Sequence, residues 1–420
     1  MFTMNSVGRN LAAITIVALA LVVSQARAAA PPGYVDASTF GYNPTDATDA
    51  LQAAINTGSN VYVPNMGTDW VIRPIQFTRS YQDILFESGV VVSAKPGEFL
   101  GPTDSLFLAS RIYGVTMTGY GATLRMRKDD YQQAPYEKAE WRSAISLYSV
   151  SGFEVRGLRI ENTGGDAIFI TATAAPNGDN GPAYSENVVI KDVVLDNNYR
   201  QGISVASVEN LLIDNAIIRN TNGTYPYSGI DFEPDYPVHR IANAMVRNSI
   251  IEANNGWGIL FATTNTQLSK SIAVENVTIV GNHLDGIRMT EPLPGVTIKD
   301  SLIVGNDDYG FRGTPVTLDL LLSGTARNSI DYSALWGNGD GTRTGWTELG
   351  PGTTTNVAPN FYSTDPNSPY YLYLAKNNAA SILQGGHDGG YLGARPVVPE
   401  PAGLGMLAGA ALLFTRRRRA

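Results

Sequence analysis

The sequence contains no cysteine, which excludes thiol catalysis, disulfide bonds and thiolate metal sites. Charged residues are also scarce, at 16% of 420 residues, whereas glycine occurs 43 times. No glycine-rich loop joins a predicted strand to a predicted helix, so nothing indicates a phosphate-binding site. This composition is typical of short strands joined by tight turns.

The sequence has instead a repeat, in which a glycine precedes a large apolar residue. Its copies are Gly202-Ile203, Gly229-Ile230, Gly258-Ile259, Gly286-Ile287 and Gly310-Phe311, and Ala167-Ile168 is the same line with alanine. The apolar positions recur every 24 to 35 residues, which is the length of one repeat in a solenoid. Asparagine stands four residues before the glycine at Asn198, Asn254, Asn282 and Asn306. Each repeat holds short strands of alternating pattern and no helix.

Such short strands cannot bury their apolar faces alone, so successive coils must stack in parallel, about 4.8 Å apart. The aligned asparagine side chains are then expected to hydrogen-bond from coil to coil. The repeat predicts an all-β fold, a single right-handed parallel β-helix solenoid over residues 35–395. A β-propeller is disfavoured, because each of its blades needs about 40 to 50 residues. Residues 358–394 are expected to form an irregular closing coil.

A short N-terminal helix is predicted ahead of the coils, with Thr45 or Asp46 as its cap and Leu51, Ala54 and Ile55 on its apolar side. Because the first coil exposes an unpaired strand edge, this helix is expected to cap the solenoid. The capping segment and the coils together resemble the pectin-lyase-like superfamily over residues 35–395. The resemblance implies a protein that acts on polysaccharides, as a glycoside hydrolase, a polysaccharide lyase or a uronate epimerase. The fold does not choose among them.

The N-terminus is predicted to be an export signal. Arg9 precedes an apolar run over residues 11–23, and Ala26-Arg27-Ala28 fits the small-x-small rule of signal peptidase. The apolar run is too short for a membrane span. Residues 1–28 are therefore expected to be a signal peptide that is removed on export.

The C-terminal residues 396–420 carry Val398-Pro399-Glu400-Pro401, then a short apolar stretch, then four arginines, Arg416 to Arg419. The arginines are expected to stay on the cytoplasmic side of a membrane. This arrangement resembles the PEP-CTERM sorting signal, which implies recognition by an exosortase in a Gram-negative bacterium that builds exopolysaccharide. We therefore expect a chain that is held transiently at the membrane by its tail and then reaches the cell surface or the medium.

Without its two ends the chain is strongly acidic. Six arginines and Glu400 are lost, so the net charge changes from −8 to about −13. This charge disfavours nucleic acid as a partner. The expected partners are an extracellular polysaccharide and, during export, signal peptidase and the exosortase. The protein is expected to be a monomer.

The candidate catalytic residues come from aligning the coils. The second residue after each glycine is predicted to point outward, along the line Arg125, Ser146, Phe169, Ser204, Asp231, Leu260, Arg288 and Arg312. Asp231 and Glu233 are two apart on one strand, so their Cα atoms are expected about 6.6 Å apart. Asp166, two coils earlier, is expected about 10 Å from Asp231. Two such carboxyl groups can divide the acid and base roles of a hydrolase.

The same alignment places six further residues around the acids as candidate substrate-binding groups. They are Arg200, Gln201, Trp257, His283, Asp285 and Arg288. Arginine suits a carboxylate or sulfate on a polymer, and Trp257 suits a sugar ring. A second patch of mixed charge is predicted on a longer loop, with Arg125, Arg127, Lys128, Asp129, Glu140, Trp141 and Arg142.

No cofactor is expected, but alternatives to a catalytic pair remain open. One is a calcium site built from the oxygen atoms of Asp231, Glu233 and Asp235. Another is a plain acidic surface, on which the arginines simply pair with the acids. The spacing of the acids alone does not decide among these readings.

Known motifs leave the reaction open as well. The sequence lacks the Gly-Asp-Asp, Gly-His-Gly and Arg-Ile-Lys motifs of polygalacturonases and the Asp-Pro-His-Asp motif of alginate epimerases. The stretch from Asn162 to Asp166 resembles the Gly-Asp-Asp motif of polygalacturonases only loosely. The leading prediction is a glycoside hydrolase. The alternatives are a lyase or epimerase on an acidic glycan, and a non-catalytic glycan-binding protein of the surface or matrix, so catalysis itself stays a prediction.

Overall fold

The chain winds into a right-handed parallel β-helix made of three parallel sheets, which confirms the predicted fold. The computed structural model describes residues 28–173, 183–262, 269–291, 293, 295–313, 328–344 and 349–398. Nearly all of the predicted signal peptide and most of the predicted sorting tail lie outside these residues. Within them, no helix is long and apolar enough to cross a membrane.

Each complete coil contributes one strand to each of the three sheets, A, B and C. Sheet A contains β1 (Tyr34–Asp36), β2 (Asn60–Val63), β5 (Gln82–Phe86), β8 (Val115–Thr118), β11 (Glu154–Arg156), β14 (Ser185–Lys191), β17 (Val208–Asp214), β20 (Ile241–Arg247), β23 (Lys270–Glu275), β26 (Val296–Lys299) and β29 (Ser329–Asp331). Sheet B contains β3 (Trp70–Ile72), β6 (Val91–Ala94), β9 (Thr123–Arg125), β12 (Arg159–Glu161), β15 (Val194–Asp196), β18 (Ile217–Arg219), β21 (Ile250–Glu252), β24 (Thr278–Val280), β27 (Leu302–Val304) and β30 (Ala334–Trp336). Sheet C contains β4 (Ile75–Gln76), β7 (Phe107–Ser110), β10 (Ile145–Tyr148), β13 (Ile168–Thr171), β16 (Ile203–Val205), β19 (Ile230–Phe232), β22 (Ile259–Phe261), β25 (Ile287–Met289), β28 (Tyr309–Arg312) and β31 (Gly341–Thr344).

A short helix covers the first coil, as predicted. The helix α1 (Thr48–Asn56) follows a 3₁₀ turn (Ala37–Phe40), and its three predicted apolar side chains are fully buried. Asp46 helps to fix the start of the helix, because its carboxylate accepts the backbone N–H of Thr48 at 3.1 Å. The helix packs against β2 and β4, so the edge of the solenoid is not left open.

Stacked apolar side chains fill the interior. The residues that follow the repeat glycines, such as Ile203, Ile230 and Ile259, are fully buried and pair directly across neighbouring coils. Two positions further along the strands, the rings of Phe232 and Phe261 stack with their centroids 5.1 Å apart. This stacking supplies the apolar burial that a single short strand lacks.

The repeat glycine is required by the close approach of neighbouring coils. A Cβ atom at Gly229 would lie 2.4 Å from Cγ2 of Ile251 and 2.7 Å from the carbonyl oxygen of Gly258. At Gly258 the corresponding distances to Ile279 and to the next repeat glycine are 2.4 and 2.5 Å. Any larger side chain would push the coils apart, so packing explains the glycine line.

The predicted asparagine ladder is confirmed along the C-terminal coils. Nδ2 of Asn254 donates to Oδ1 of Asn282 at 2.9 Å, and the same contact links Asn282 to Asn306 and Asn306 to Asn338. Each of these oxygens also accepts the backbone N–H of the preceding asparagine. At Asn198 the ladder changes, because its Oδ1 accepts from the hydroxyl and the backbone N–H of Thr163 instead of from a side-chain amide.

The C-terminal segment does not form the closing coil that the sequence predicts. Residues 357–398, here called the C-terminal flap, include the short helix α2 (Ala380–Leu383) and fold back over the outward face of sheet B. Their apolar contacts join Leu374, Ile382 and Leu392 to Leu302 and Ala334, and join Leu372 and Ala394 to Ile250. Ile250, Leu302 and Ala334 are apolar residues at outward positions of sheet B, so they need a cover that a closing coil would not provide.

Candidate active site

The register of sheet C brings the candidate catalytic residues together. Asp231 in β19 pairs with Ser204 in β16 and with Leu260 in β22. The predicted outward line is confirmed from Ser146 through to Arg312. The acids therefore lie on the outer face of sheet C, on coils that are adjacent in space and far apart in sequence.

Glu233 is held by an arginine from the neighbouring coil. Nη1 and Nη2 of Arg200 donate to the two carboxylate oxygens of Glu233, both at 2.9 Å. The hydroxyl of Ser204 donates to Oε1 of Glu233 at 2.6 Å. Because the Arg200 side chain is only 14% exposed, this bidentate pair is largely shielded from water. These three hydrogen bonds fix the position of the Glu233 carboxyl group.

Arg200 also serves two other acids. Its Nη1 atom lies 3.6 Å from Oδ2 of Asp166, and its Nε atom lies 3.8 Å from Oε1 of Glu140. Asp166 and Glu233 thus share one guanidinium nitrogen, which confirms that the fold brings Asp166 to the site. Burial raises the pKa of Asp166 to about 8, even though Arg200 acts in the opposite direction. The charge of Arg200 therefore does not offset the effect of burial on the pKa of Asp166.

Asp231 lies deeper than the alternation of the strand predicts. The alternation places it on the outer face, yet it is 1% exposed, because neighbouring side chains cover it. Nε2 of Gln201, which is itself fully buried, donates to Oδ2 of Asp231 at 2.7 Å. Burial and the charge of Glu233 raise the pKa of Asp231 well above its ordinary value, against the effect of Arg200. Burial and Glu233 also raise the pKa of Asp235, to about 6.

Five buried polar atoms of this cluster have no hydrogen-bond partner among the described residues. They are Oδ1 of Asp166, Oε1 of Gln201, Oγ of Ser228, Oδ1 of Asp231 and Nε of Arg200. The first three belong to equivalent positions on successive coils, two residues before the paired isoleucines of sheet C. Since buried polar atoms are normally paired, this group of unpaired atoms sets the cluster apart from the regular coils.

Trp257 and Asp285 are packed into the wall beside the acids. Trp257 is 9% exposed, and its Nε1 atom donates to Oδ2 of Asp285 at 3.1 Å. Nε of Arg312 lies 3.0 Å from Oδ1 of Asp285. Burial raises the pKa of Asp285, although hydrogen bonds and Arg312 oppose the shift. The exposed ring at this place is Tyr225, which is 63% exposed and meets the Trp257 ring edge-on at 5.3 Å.

Sequence reasoning misses Tyr225, although the repeat carries a signal for it. Tyr225 stands four residues before Gly229, where the neighbouring coils have asparagine. The place in the ladder is taken by Thr221, whose backbone N–H donates to Oδ1 of Asn254 at 3.1 Å. The extra residues after Thr221 form the turn that carries Tyr225 to the site. Burial and the charge of Asp231 raise the pKa of Tyr225, so its hydroxyl lies within the field of that acid.

Arg288 and His283 lie at the edge of the cluster. Arg288 is half-buried, pairs in register with Leu260, and forms no ion pair within the part of the chain that the structure describes. His283 is 58% exposed, and its Nδ1 atom contacts Oδ2 of Asp307 at 2.8 Å. Arg288 is therefore free to meet an anionic ligand, whereas His283 is engaged with an acid of the next coil.

The second predicted patch is not a single surface. Arg125 ends β9 in sheet B and pairs with Glu161, so its place on the outward line was wrong, and Leu108 stands opposite Ser146 instead. Arg142 is fully buried, and its guanidinium donates to backbone carbonyl groups of the same region. Lys128 is also buried, and it donates to the amide oxygens of Asn197 and Asn222. The reason is a long excursion between β9 and β10, where the repeat spacing does not apply.

The arrangement of the acids also bears on the predicted calcium site. Among the described residues, no group of three His, Asp or Glu side chains is placed to hold a metal ion. Both oxygens of Glu233 accept from Arg200, so Glu233 would have to leave that guanidinium before it could bind calcium together with Asp231 and Asp235.

Comparisons with known proteins agree with the fold. A family model described as "right handed beta helix region" matches residues 180–317. The mannuronan C-5 epimerase AlgE4 A-module of Azotobacter vinelandii is similar in structure, with 14% identity, 73% of this chain and 78% of that chain covered, and a TM-score of 0.46. The periplasmic alginate epimerase AlgG gives 12% identity, coverages of 76% and 82%, and a TM-score of 0.42. A hyperthermoactive exopolygalacturonase from Thermotoga maritima gives 13% identity, coverages of 74% and 88%, and a TM-score of 0.39.

The sequence matches no curated protein. The right-handed parallel β-helix fold of the chain rests on its own sheet topology and on the matching family model, and any account of its chemistry depends on its own residues.

Proposed function

We propose that this protein is an exported enzyme that hydrolyses an extracellular polysaccharide, with Asp231 as the proton donor and Glu233 as the paired carboxylate. The single observation that carries the proposal is the contrast between two acids on one strand. Burial favours the protonated form of Asp231, while Arg200 and Ser204 donate three hydrogen bonds to Glu233. Two carboxyl groups with opposite environments are what glycoside hydrolysis requires.

In this mechanism Asp231 gives its proton to the oxygen of the glycosidic bond as that bond breaks. The Glu233 carboxylate accepts a proton from the attacking water, whose oxygen joins the sugar carbon, so the reaction consumes one water per bond. Asp166 and Glu233 both face the guanidinium of Arg200. When Asp166 is neutral, it competes less for this guanidinium, and Arg200 can interact more strongly with Glu233. Arg200 is thus a positioning residue that holds the carboxylate in place.

Tyr225 and Arg288 suit recognition of the substrate. The Tyr225 ring is exposed beside the acids and offers a face for a sugar ring. The Arg288 guanidinium suits a carboxylate or sulfate on the polymer. The expected substrate is therefore an acidic glycan, and export follows from the predicted signal peptide and sorting tail.

A panel of polysaccharides with products analysed by mass tests the reaction. Hydrolysis adds the mass of water at each cleaved bond, whereas a lyase product lacks that water and absorbs ultraviolet light. Asp231→Asn and Glu233→Gln should each abolish cleavage, and Asp214→Asn on sheet A serves as the matched control that retains it. Full activity in both site variants would refute the assignment.

A non-catalytic glycan-binding role is the second candidate, and the burial of the acids favours it. The side chains of Asp166 and Asp231 are almost inaccessible, so a ligand reaches them only if the side chains that cover them move. In this case the protein would be retained on exopolysaccharide, and the polymer would keep its length over a long incubation.

A further inference from the structure

A pocket lies on the outward face of sheet B. It is formed by the same three coils that carry the candidate active site on sheet C. It encloses about 400 Å³, which lies within the range of small-ligand sites, about 300 to 1,000 Å³. Its floor is formed by Val194 and Ile217, which pair directly across neighbouring strands. On the next coil, Ile250 is covered by the C-terminal flap. The pocket is therefore the place where this cover ends and an apolar strip stays accessible.

Two of the three arginines at the pocket are neutralised by acids of sheet B. Arg159 and Arg219 both contact Oδ2 of Asp196, at 2.6 and 3.0 Å. Arg159 also contacts Glu161 at 2.6 Å, and Arg219 lies 3.7 Å from Glu252. These side chains are fixed by their partners and build a rigid, hydrogen-bonding rim.

Arg395 on the flap supplies a positive charge without a counter-charge. Its Nη1 atom donates to the amide oxygen of Asn215 at 3.0 Å, which holds the guanidinium at the pocket. It pairs with no carboxylate in the described part of the chain. Since a guanidinium has five N–H donors in a planar fork, the remaining donors of Arg395 can hold a carboxylate of a ligand.

The opposite wall combines rings with hydroxyl groups. Tyr371 and Tyr373 line it together with Pro366, Ser368 and Pro369. The hydroxyl of Tyr371 donates to Glu252, so this ring is held in place. Rigid rings over an aliphatic floor offer the apolar faces that a pyranose ring packs against. A bare inorganic anion would make no use of these faces, so the lining favours a sugar acid.

We propose that this pocket binds an acidic saccharide, with the sugar ring between the tyrosine wall and the Val194–Ile217 floor and its carboxylate on Arg395. The site is separate from the acids of sheet C and needs no catalysis, so it goes beyond the proposed function. Its position on the adjacent face of the same coils would let the protein hold one glycan while the candidate active site meets another segment.

Calorimetric titration of the full exported chain tests the proposal, with galacturonate and a galacturonate trimer as acidic probes and a neutral galactose trimer as the comparison. Arg395→Gln should weaken binding of the acidic probes about 10- to 100-fold. Arg395→Lys, which keeps the charge but loses the fork, should fall between this variant and the wild type. Arg156→Gln removes an exposed arginine from sheet A and is the matched control for net charge. Comparison of the monosaccharide with the trimer shows whether the pocket takes a free sugar acid or a unit within a chain.

Equal affinity of Arg395→Gln and Arg156→Gln for the acidic probes would overturn the proposal, as would equal binding of the neutral trimer. The titration is repeated in Asp231→Asn, where binding at the flap pocket should persist. Cleavage that survives in Asp231→Asn would refute the catalytic assignment and leave the pocket standing, so the two failures are distinguishable. Thermal unfolding of Arg395→Gln checks that the flap remains folded.

Discussion

The buried acid Asp166 makes a quantitative prediction about the pH dependence of stability. Its pKa is raised from 3.8 to about 8, first of all by burial and then by Glu233, while Arg200 opposes the shift. Between these two values the folded protein keeps a proton on Asp166 that the unfolded chain has released. The free energy of unfolding therefore falls as pH rises from about 4 to about 8, and Asp166 has no effect on it below that window.

The size of the effect follows from the width of the window. Each pH unit is worth about 1.4 kcal/mol for one group, so the full linkage over this window is on the order of 6 kcal/mol. Asp166→Asn keeps the shape of the side chain and removes its titration. The variant should match the wild type near pH 4, gain stability relative to it with each unit up to about pH 8, and keep a constant advantage above that. Loss of the Asp166 charge also eases the ionisation of Asp231, which acts in the same direction.

Urea unfolding followed by tryptophan fluorescence at pH 4.5, 6, 7.5 and 9 measures this difference. The control is Asp214→Asn on sheet A, because Arg247 and Asn248 hold the pKa of Asp214 below its ordinary value despite its burial. Asp214 stabilises the fold above its unfolded pKa, and this stability is lost as pH falls through the folded pKa. The control should therefore lose a constant amount across the range tested. Parallel curves for the wild type and Asp166→Asn would show that Asp166 ionises normally in the folded protein, and the reasoning would fail.

Two further predictions concern the ladder and the calcium alternative. Asn282→Ala removes a side-chain amide that both accepts from Asn254 and donates to Asn306. The substitution should lower the free energy of unfolding, measured in urea, by about 2 to 4 kcal/mol. Asn356→Ala, on the exposed surface, should change it little. Millimolar calcium and the same concentration of magnesium should give the same midpoint of thermal unfolding, because Glu233 is engaged with Arg200. A rise in the midpoint that is specific to calcium and is reversed by EDTA would favour the metal site instead.

The β-helix and the grouping of the acids could be predicted because both depend only on the period of the repeat. Once Ile203, Ile230 and Ile259 are stacked, every neighbour in the same strand follows, and Asp231 must face Ser204. The same logic fails where the spacing changes. Arg125 was misplaced because the chain makes a long excursion before β10, and Tyr225 was missed because extra residues follow Thr221.

Burial of the acids could not be predicted from the strand pattern. Alternation tells on which side of a strand a side chain lies, and it does not tell what covers that side. Asp231 is on the outer face, yet Gln201 and the neighbouring side chains bury it, and this burial, together with the charge of Glu233, raises its pKa. The C-terminal flap was missed for a related reason, because its partner is an outward apolar strip on sheet B far away in sequence.

The candidate site lies where the solenoid departs from its own repeat. The coils from Asn254 onward keep the glycine line and a closed ladder of amides, so they satisfy both packing and hydrogen bonding. The coils of the site have Ala167 where the line has glycine, Thr163 and Thr221 where the ladder has asparagine, and buried polar atoms without a partner among the described residues. A buried cluster of several acids around one arginine destabilises the fold, and the regularly stacked coils on either side can offset this destabilisation. Local rules broken in one place and kept elsewhere are expected of a functional site, which is a reason to test Asp231, Glu233 and Arg200 before any other part of the solenoid.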